Sequence, residues 1–189
     1  MPVKFDPRNK EVLLSPARRK SLDMYRLLSL IPILPHHAIA DIGCGPGFFT
    51  VPLAKYLWDG KLFAVDIKQE MLDAAKEAVD SERLSNVEFV KSTERRLPLK
   101  KDSLDGSVVA FVIQEAAGRE SLLKEIRRCM RTPGWAVILE WHKKKSKEGP
   151  PVQQRIKDTD MMNLLKKTGF RVSTKRDLNN QQYMIVART

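Results

Sequence analysis

Short apolar runs alternate with amphipathic stretches along most of this chain. The apolar runs have the length and composition of buried strands and lie at 37–42, 61–66, 86–91, 104–113 and 135–141. The amphipathic stretches carry apolar residues at helical spacing and predict helices over 47–58, 69–80, 118–131 and 158–167. Strands that alternate with helices in this way predict an α/β fold, with a parallel, doubly wound sheet and helices on both of its faces.

The end of the chain breaks this alternation. Two strand-like runs, 170–178 and 182–187, are separated only by residues 179–181. That connection is too short for a parallel crossover, so the two runs must pair as an antiparallel hairpin. We therefore expect a mostly parallel, seven-stranded sheet that ends in an antiparallel hairpin strand.

The remaining segments flank this framework. Residues 1–17 are polar and charged, with prolines at 7 and 16, and predict an extended arm with at most one turn of helix. A helix is predicted over 18–31, where apolar residues recur at helical spacing. Residues 142–157 contain Gly149-Pro-Pro151 and predict a loop rich in basic residues. The length of 189 residues is that of one domain, 1–189.

A glycine-rich turn follows the first predicted strand. Asp41 precedes it, and glycines stand at 43, 45 and 47. Glycine lets the backbone approach a ligand closely, and the start of the next helix offers N–H groups to an anion, although a tight connection alone would also explain the glycines. Asp66 ends the second strand, about 20 residues further on, where nucleotide-binding folds place a carboxylate for the ribose hydroxyls.

This pattern differs from the dehydrogenase fingerprint, because Phe48 stands where glycine or alanine is required. Asp-x-Gly-x-Gly-x-Gly, followed by an acid at the end of the second strand, resembles the class I S-adenosylmethionine-dependent methyltransferases, and in particular the small ubiquinone- and menaquinone-biosynthesis-like domains. The resemblance covers nearly the whole chain, including the terminal hairpin. It implies a Rossmann-like methyltransferase fold, S-adenosyl-L-methionine (SAM) as cofactor and S-adenosyl-L-homocysteine (SAH) as product.

The resemblance also implies roles for residues at the strand ends. Asp41 would accept a hydrogen bond from the methionine ammonium or an ordered water, Asp66 would bind both ribose hydroxyls, and Ile67 would pack on adenine, with core burial as nearly as good an explanation. The backbone that would cradle the methionine part is that of Gly43, Cys44, Gly45 and Gly47.

Two further contacts are implied after strands three and four. Ser92-Thr-Glu-Arg-Arg-Leu97-Pro98 stands where the family usually reads Gly-Asp-Ala-Glu-x-Leu-Pro, so Thr93 replaces the aspartate that contacts the adenine amino group. The hydroxyl of Thr93 could accept instead, and the N–H of Glu94 could serve the ring nitrogen. The carbonyl of Ala110 would face the amino group of the cofactor.

Methyl transfer from a sulfonium is an in-line displacement that depends mainly on alignment and water exclusion. A general base is needed only where the acceptor holds a proton at neutral pH. Gln114 occupies a position where small members of the family commonly carry histidine, and glutamine cannot act as a base. The candidate catalytic residues are therefore Glu115 and His142, with Glu140 as a further possibility, and each could equally face solvent.

Charge and composition narrow the partners. The net charge is +11, and basic residues concentrate at 91–101, 124–131 and 143–147. Two of these clusters fall in loops on the predicted cofactor side, which favours a small, anionic or mixed acceptor slightly over RNA or a protein. The alternative function is an RNA-binding or RNA- or protein-modifying module on the same fold. A nicotinamide oxidoreductase is disfavoured by Phe48 and by the terminal hairpin.

Other classes of protein find no support in the sequence. Two cysteines and three scattered histidines show no metal-ligand spacing, so we expect no metal. The longest apolar stretch, 27–35, is short and interrupted by proline, and the N-terminus lacks an apolar secretory core. A soluble, cytoplasmic enzyme of unknown oligomeric state is the expectation.

Overall fold

The computed structural model describes residues 6, 8, 10–146 and 148–189, and leaves the side chains of residues 10 and 17 undescribed. Most of the first nine residues of the predicted arm, and residue 147 of the basic loop, therefore lie outside the described residues. Within that part the helices are α1 (Lys10–Leu13), α2 (Pro16–Ser21), α3 (Met24–Leu30), α4 (Thr50–Tyr56), α5 (Gln69–Ser81), α6 (Arg119–Cys129) and α7 (Asp158–Lys167). The strands are β1 (Ala38–Ile42), β2 (Lys61–Asp66), β3 (Val87–Lys91), β4 (Leu104–Ala110), β5 (Met130–Trp141), β6 (Arg171–Asp177) and β7 (Gln182–Arg188).

These strands form one sheet in the order β3-β2-β1-β4-β5-β7-β6. Strands β1 to β5 pair in parallel, and β7 pairs antiparallel with both β5 and β6. The predicted fold class is confirmed, including the antiparallel hairpin at the end of the chain. The strand order reverses between β1 and β4, so the carboxyl ends of these two strands flank the crevice in which such sheets bind ligands.

Side chains of the central strands pack on both faces of the sheet. On β5, Ala136 and Ile138 belong to one core cluster with Leu123 of α6. Val137, between them, points the other way and packs in a cluster with Leu53 of α4. Because successive strand residues face opposite sides, this alternation buries both faces under helices.

The helix predicted over 18–31 is wrong in one respect, because it is two helices. Asp23 interrupts it and caps α3, its Oδ1 accepting from the N–H groups of Tyr25 (3.0 Å) and Arg26 (3.2 Å). Ser15 caps α2 through the N–H of Arg18 in the same way. Side-chain caps satisfy N–H groups that a helix start leaves unpaired, so an aspartate inside an apolar pattern can begin a new helix.

The apolar run 104–113 also ends earlier as a strand than predicted. β4 stops at Ala110, Phe111 adopts a positive φ of 65°, and Ile113–Glu115 forms a single 3₁₀ turn. The turn is fixed by a hydrogen bond from the N–H of Gln114 to Oε1 of Glu140 at the end of β5, 3.1 Å long. An apolar run alone does not reveal such a bend, because it depends on a partner from another strand.

We expect the substitution Gly106→Ala to destabilise the protein by about 1–3 kcal/mol, since overpacked cores lose stability on that scale. A Cβ atom at Gly106 in β4 would overlap the buried indole of Trp135 on the neighbouring strand. The matched control is Gly118→Ala, where the nearest atoms to the added Cβ lie 3.6 Å away, in Ser121. Urea unfolding of both variants measures the difference, and equal stabilities would contradict this account of the sheet.

Candidate active site

A cavity of about 750 Å³ lies at the carboxyl ends of the central strands. Its walls come from the turn after β1, the end of β2, the loop after β3, the segment after β4, the loop after β5 and the N-terminal helices. The volume falls in the upper part of the range of roughly 300–1,000 Å³ that is typical of small-molecule sites. These segments are far apart in the sequence, and the parallel sheet brings them together at one edge.

The glycine turn after β1 is clamped onto β2. The N–H groups of Gly43 and Cys44 both donate to the carbonyl of Val65, at 2.7 and 3.0 Å, and both residues line the cavity. Gly43 has a φ of 71°, and a Cβ there would overlap the side chain of Val112. Only glycine fits this position, so a bare backbone wall is left facing the ligand.

The other two predicted glycines lie outside the described residues that line the cavity. A Cβ at Gly47 would come within 3.3 Å of Cα of Ala75 in α5, so this glycine lets α5 approach the turn. Gly45 instead donates its N–H to Oδ2 of Asp66, 3.0 Å away. Gly45 and Gly47 therefore contribute to the shape of the turn rather than to the described cavity wall.

Asp66 occupies the end of β2, only 8% exposed, and lines the cavity. Besides the contact with Gly45, its Oδ1 accepts from the N–H of Lys68 at 2.9 Å. A carboxylate has about four lone-pair sites, so two remain for further donors. The donor set around Asp66 thus fixes the carboxylate and leaves room for the two hydroxyls of a ribose, which fits a nucleoside ligand.

Asp41 lies beneath the turn and is 1% exposed. Its Oδ2 accepts from the hydroxyl of Thr50 at 2.7 Å. Burial raises the pKa of Asp41 to about 7, against the lowering effect of that hydrogen bond. Among the described residues it is not part of the cavity wall, so the structure brings Asp66, and not Asp41, to the ligand side.

The residues predicted to contact adenine, Ile67, Thr93 and Glu94, all line the cavity. Ala110, whose carbonyl was predicted to face the amino group of the cofactor, lines it too. The hydroxyl of Thr93, however, already accepts from the N–H of Arg96 at 3.1 Å within its own loop. That hydrogen bond engages the oxygen that would stand in for the missing aspartate.

The far end of the cavity is aromatic. Phe111 and Trp141 lie with their ring centroids 5.8 Å apart, and both line the cavity. Arg18 of α2 places its guanidinium 4.9 Å from the ring of Phe48 and 5.3 Å from that of Phe111, a cation–π geometry. Burial lowers the pKa of Arg18 to about 10, partly offset by the charge of Asp41. The sequence alone does not single out Arg18, because it stands in an ordinary-looking basic run, 18–20.

The structure places the two candidate catalytic residues in different surroundings. Glu115 lines the cavity, whereas His142 is not among the described lining residues. Nε2 of His142 lies 3.1 Å from Oδ1 of Asp177 in β6, and its ring contacts that of Tyr183. Trp141 occupies the cavity side of the chain at this point, so the next residue turns away from it.

Glu140 is completely buried under the 3₁₀ turn that carries Gln114 and Glu115. Burial raises the pKa of Glu140 to about 8, although the N–H groups of Gln114 and Ile113 act in the opposite direction. Its position makes it a support for the turn, and the described lining residues do not include it.

The loop 142–157 is organised by Arg155, which is 2% exposed. Its guanidinium donates to the carbonyls of Pro150 (2.8 Å), Lys144 (2.9 Å) and Glu148 (2.7 Å). These bonds hold Glu148 to Pro151 as one wall of the cavity, and Arg155 also lies over the ring of Trp141. The sequence alone does not single out Arg155 either, because it stands in a polar segment.

The predicted basic clusters are not uniform. Arg95 and Arg96 are exposed near the cavity, as are Lys143 and Lys144. Arg128, in contrast, binds Glu125 and the carbonyls of Leu97 and Leu99, so it is part of the fold. Within the described residues, no three histidine, cysteine or acidic side chains gather as a metal site would require. The helices of that same part are too short or too polar to cross a bilayer.

The model of the Methyltransferase domain family matches residues 40–138. The chain belongs to this family. The match runs from β1 through most of β5 and therefore contains the glycine turn, Asp66 and the end of β4. The family and the structural likeness described below confirm the prediction from the sequence that the protein is a class I SAM-dependent methyltransferase.

A solved structure of a SAM-dependent methyltransferase from Aquifex aeolicus resembles this methyltransferase with a TM-score of 0.94. The two chains are 28% identical, and the likeness covers 98% of this chain and 99% of that one. Together with the family, this neighbour confirms SAM as the predicted cofactor. The same sheet, with its terminal hairpin, is thus an established methyltransferase fold.

Curated relatives include quinone-pathway enzymes. The demethylmenaquinone methyltransferase of Lactococcus lactis is 30% identical over 104 residues, which cover 54% of this chain and 41% of the relative. The ubiquinone/menaquinone biosynthesis C-methyltransferase of Ectopseudomonas mendocina is 24% identical over 152 residues, 79% of this chain and 58% of the relative. This methyltransferase spans about half the length of these curated relatives.

We expect Glu140→Gln to change how stability depends on pH. Native Glu140 stays protonated up to about pH 8, whereas the unfolded chain ionises it near 4.5, so the native state binds more protons between these values. The stability that Glu140 contributes is therefore present below pH 4.5 and lost as pH rises through 8. Glutamine does not titrate, so between pH 5 and 8.5 the variant should gain about 2–4 kcal/mol relative to wild type.

Urea unfolding at pH 5, 7 and 8.5 measures this change. The control is Glu77→Gln on the exposed face of α5, which makes the same substitution at a position that is not buried. A Glu140→Gln curve parallel to that of wild type would show that Glu140 is ionised in the native protein.

Proposed function

We propose that this protein transfers the methyl group of SAM to a small, flat, largely apolar molecule that binds against Phe111 and Trp141. The observation that carries the proposal is that Asp66 and this ring pair line one and the same cavity. A cofactor at one end and an acceptor at the other would then meet beside the carboxyl ends of β1 and β4.

The residues at the cofactor end would divide the work. Asp66 would bind the ribose hydroxyls, the backbone at Gly43 and Cys44 would follow the methionine part, and Ala110 would offer its carbonyl to the ammonium. Ile67 and the 93–94 segment would border the adenine. When bound, SAM supplies a methyl group already activated by a positive sulfur. The chain's own contribution is then to align the acceptor and to exclude water.

The acceptor end favours a ring over an extended polymer. Phe48, Phe111 and Trp141 offer flat apolar surfaces inside the cavity, whereas aromatic stacking on nucleic acid requires exposed rings beside basic loops. The names of the two relatives above refer to demethylmenaquinone and to ubiquinone and menaquinone biosynthesis, and a quinone is a flat ring of this kind. Arg18 adds a positive charge to the wall, so an acceptor with one anionic group also fits.

Glu115 is the residue we propose for proton removal where the acceptor carries a proton that must leave. It is the candidate carboxylate that lines the cavity, and it ends the 3₁₀ turn fixed by Glu140. His142 has no part in this proposal, because its ring lies against Asp177 and Tyr183.

The cofactor half of the proposal is tested by calorimetric titration with SAH. Asp66→Ala should weaken binding by roughly 10- to 100-fold, because hydrogen bonds that involve a charged group contribute about 1.5–3 kcal/mol. The matched control, Asp73→Ala, changes an exposed aspartate of α5 and should bind SAH like wild type. Wild-type protein that ignores millimolar SAH, or equal affinity in Asp66→Ala, would contradict the proposal.

The acceptor half is tested by incubating the protein with methyl-labelled SAM and a fractionated cell extract. Label should enter a small molecule that partitions into organic solvent, and Asp66→Ala should slow the transfer at SAM concentrations that do not saturate the variant. Label that enters RNA or protein would contradict the proposed acceptor class and favour the alternative function on the same fold.

A further inference from the structure

Two buried amide oxygens in the cavity wall lack a hydrogen-bond donor. They are Oε1 of Gln114, on the 3₁₀ turn after β4, and Oε1 of Gln154, in the loop after β5. Gln114 is only 2% exposed. No donor within the described part of the chain reaches either oxygen. Buried acceptors without partners are uncommon in folded proteins and cost stability, so each calls for an explanation.

The orientation of the Gln114 amide is fixed by its neighbours. Nε2 donates to the carbonyl of Phe111 at 3.3 Å, and a carbonyl oxygen can only accept. The opposite end of the amide must therefore be the oxygen. The backbone N–H of the same residue is held by Glu140, so the turn cannot easily rotate Gln114 toward another donor.

Arg119 ties the two glutamines to one place. Its Nη2 donates to the backbone carbonyl of Gln114 at 3.4 Å and to that of Gln154 at 3.2 Å. The guanidinium therefore joins the segment after β4 to the loop after β5. It satisfies the backbone carbonyls and leaves the side-chain oxygens unpartnered beside the cavity.

The chemistry of these oxygens defines what would complete them. An amide oxygen accepts hydrogen bonds and cannot donate, so it pairs with a hydroxyl or an amino group. An ether or carbonyl oxygen at the same place would bring two acceptors together and leave both unsatisfied. Sites with buried polar groups discriminate strongly against analogues that lack the matching group.

We propose that Gln114, with Gln154 beside it in the cavity wall, selects a methyl acceptor that carries a hydroxyl or amino donor on its ring. This inference rests on the proposed function, because it assumes that a small flat acceptor enters the aromatic end of the cavity. Gln114 acts here as a specificity-determining residue, and the proton chemistry stays with Glu115.

Paired probes test this selection directly. 1-Naphthol and 1-methoxynaphthalene share one flat ring system, but only the naphthol carries a donor. Titrated into the SAH-loaded protein, wild type should prefer 1-naphthol by about 10-fold or more. Gln114→Leu should reduce the preference to within about 2-fold, Gln154→Leu should reduce it partly, and the control Gln153→Leu, at an exposed neighbouring position, should retain it.

Three results would overturn the inference: equal binding of both compounds by wild type, an unchanged preference in both Gln114→Leu and Gln154→Leu, or no binding of either compound by protein that binds SAH. Equal binding would mean that water satisfies the two oxygens. Failure of SAH itself to bind is read in the preceding titration and would contradict the proposed function instead. Two Leu variants are used because one of them could fail to fold. A single folded variant still shows whether the preference for 1-naphthol is lost or kept.

Discussion

The N–H groups of Gly43 and Cys44 point at a single carbonyl, that of Val65, and this pair of hydrogen bonds fixes where the chain turns after β1. Without a Cβ at Gly43 the turn can pass under Val112, and Gly45 can reach the carboxylate of Asp66. The clamp therefore sets the distance between the bare backbone at one strand end and the acid at the next.

Two arginines organise the rest of the cavity in different ways. Arg155 donates hydrogen bonds to carbonyls of its own loop and thereby holds a polar segment in place as part of the cavity wall. Arg18 keeps its guanidinium over Phe48 and Phe111 and brings a positive charge to the cavity. The first is a structural use of a buried cation, whose desolvation is offset by hydrogen bonds, and the second leaves charge available to a ligand.

Local patterns in the sequence predict the fold well, and they also predict that the turn after β1 and Asp66 lie together at one edge of the sheet. Three features can be recognised from residues that are close together in the sequence. They are the alternation of strands and helices, the short link at 179–181 and the acid at 66. The break at Asp23 carried a signal too, since an aspartate inside an apolar pattern is a helix cap. Local patterns of this kind are what single sequences record most directly.

The part of the cavity around Phe111 and Trp141 could not be predicted in the same way. The bend at Phe111, the position of Gln114 and the turn of His142 away from the cavity all depend on partners from distant strands. Arg155 and Arg18 are indistinguishable in sequence from solvated basic residues, and only packing shows which side they face. This part of the cavity therefore depends on tertiary contacts, whereas the turn after β1 and the end of β2 can be located from the local sequence.

The central claim is that the clamped turn and Asp66 together hold an adenosyl ligand. A crystal structure of the protein grown with SAH tests it most directly. The account predicts both ribose hydroxyls within hydrogen-bond distance of the Asp66 carboxylate, with the bonds from Gly45 and Lys68 retained. An empty crevice at saturating SAH, or a nucleoside bound elsewhere, would contradict it.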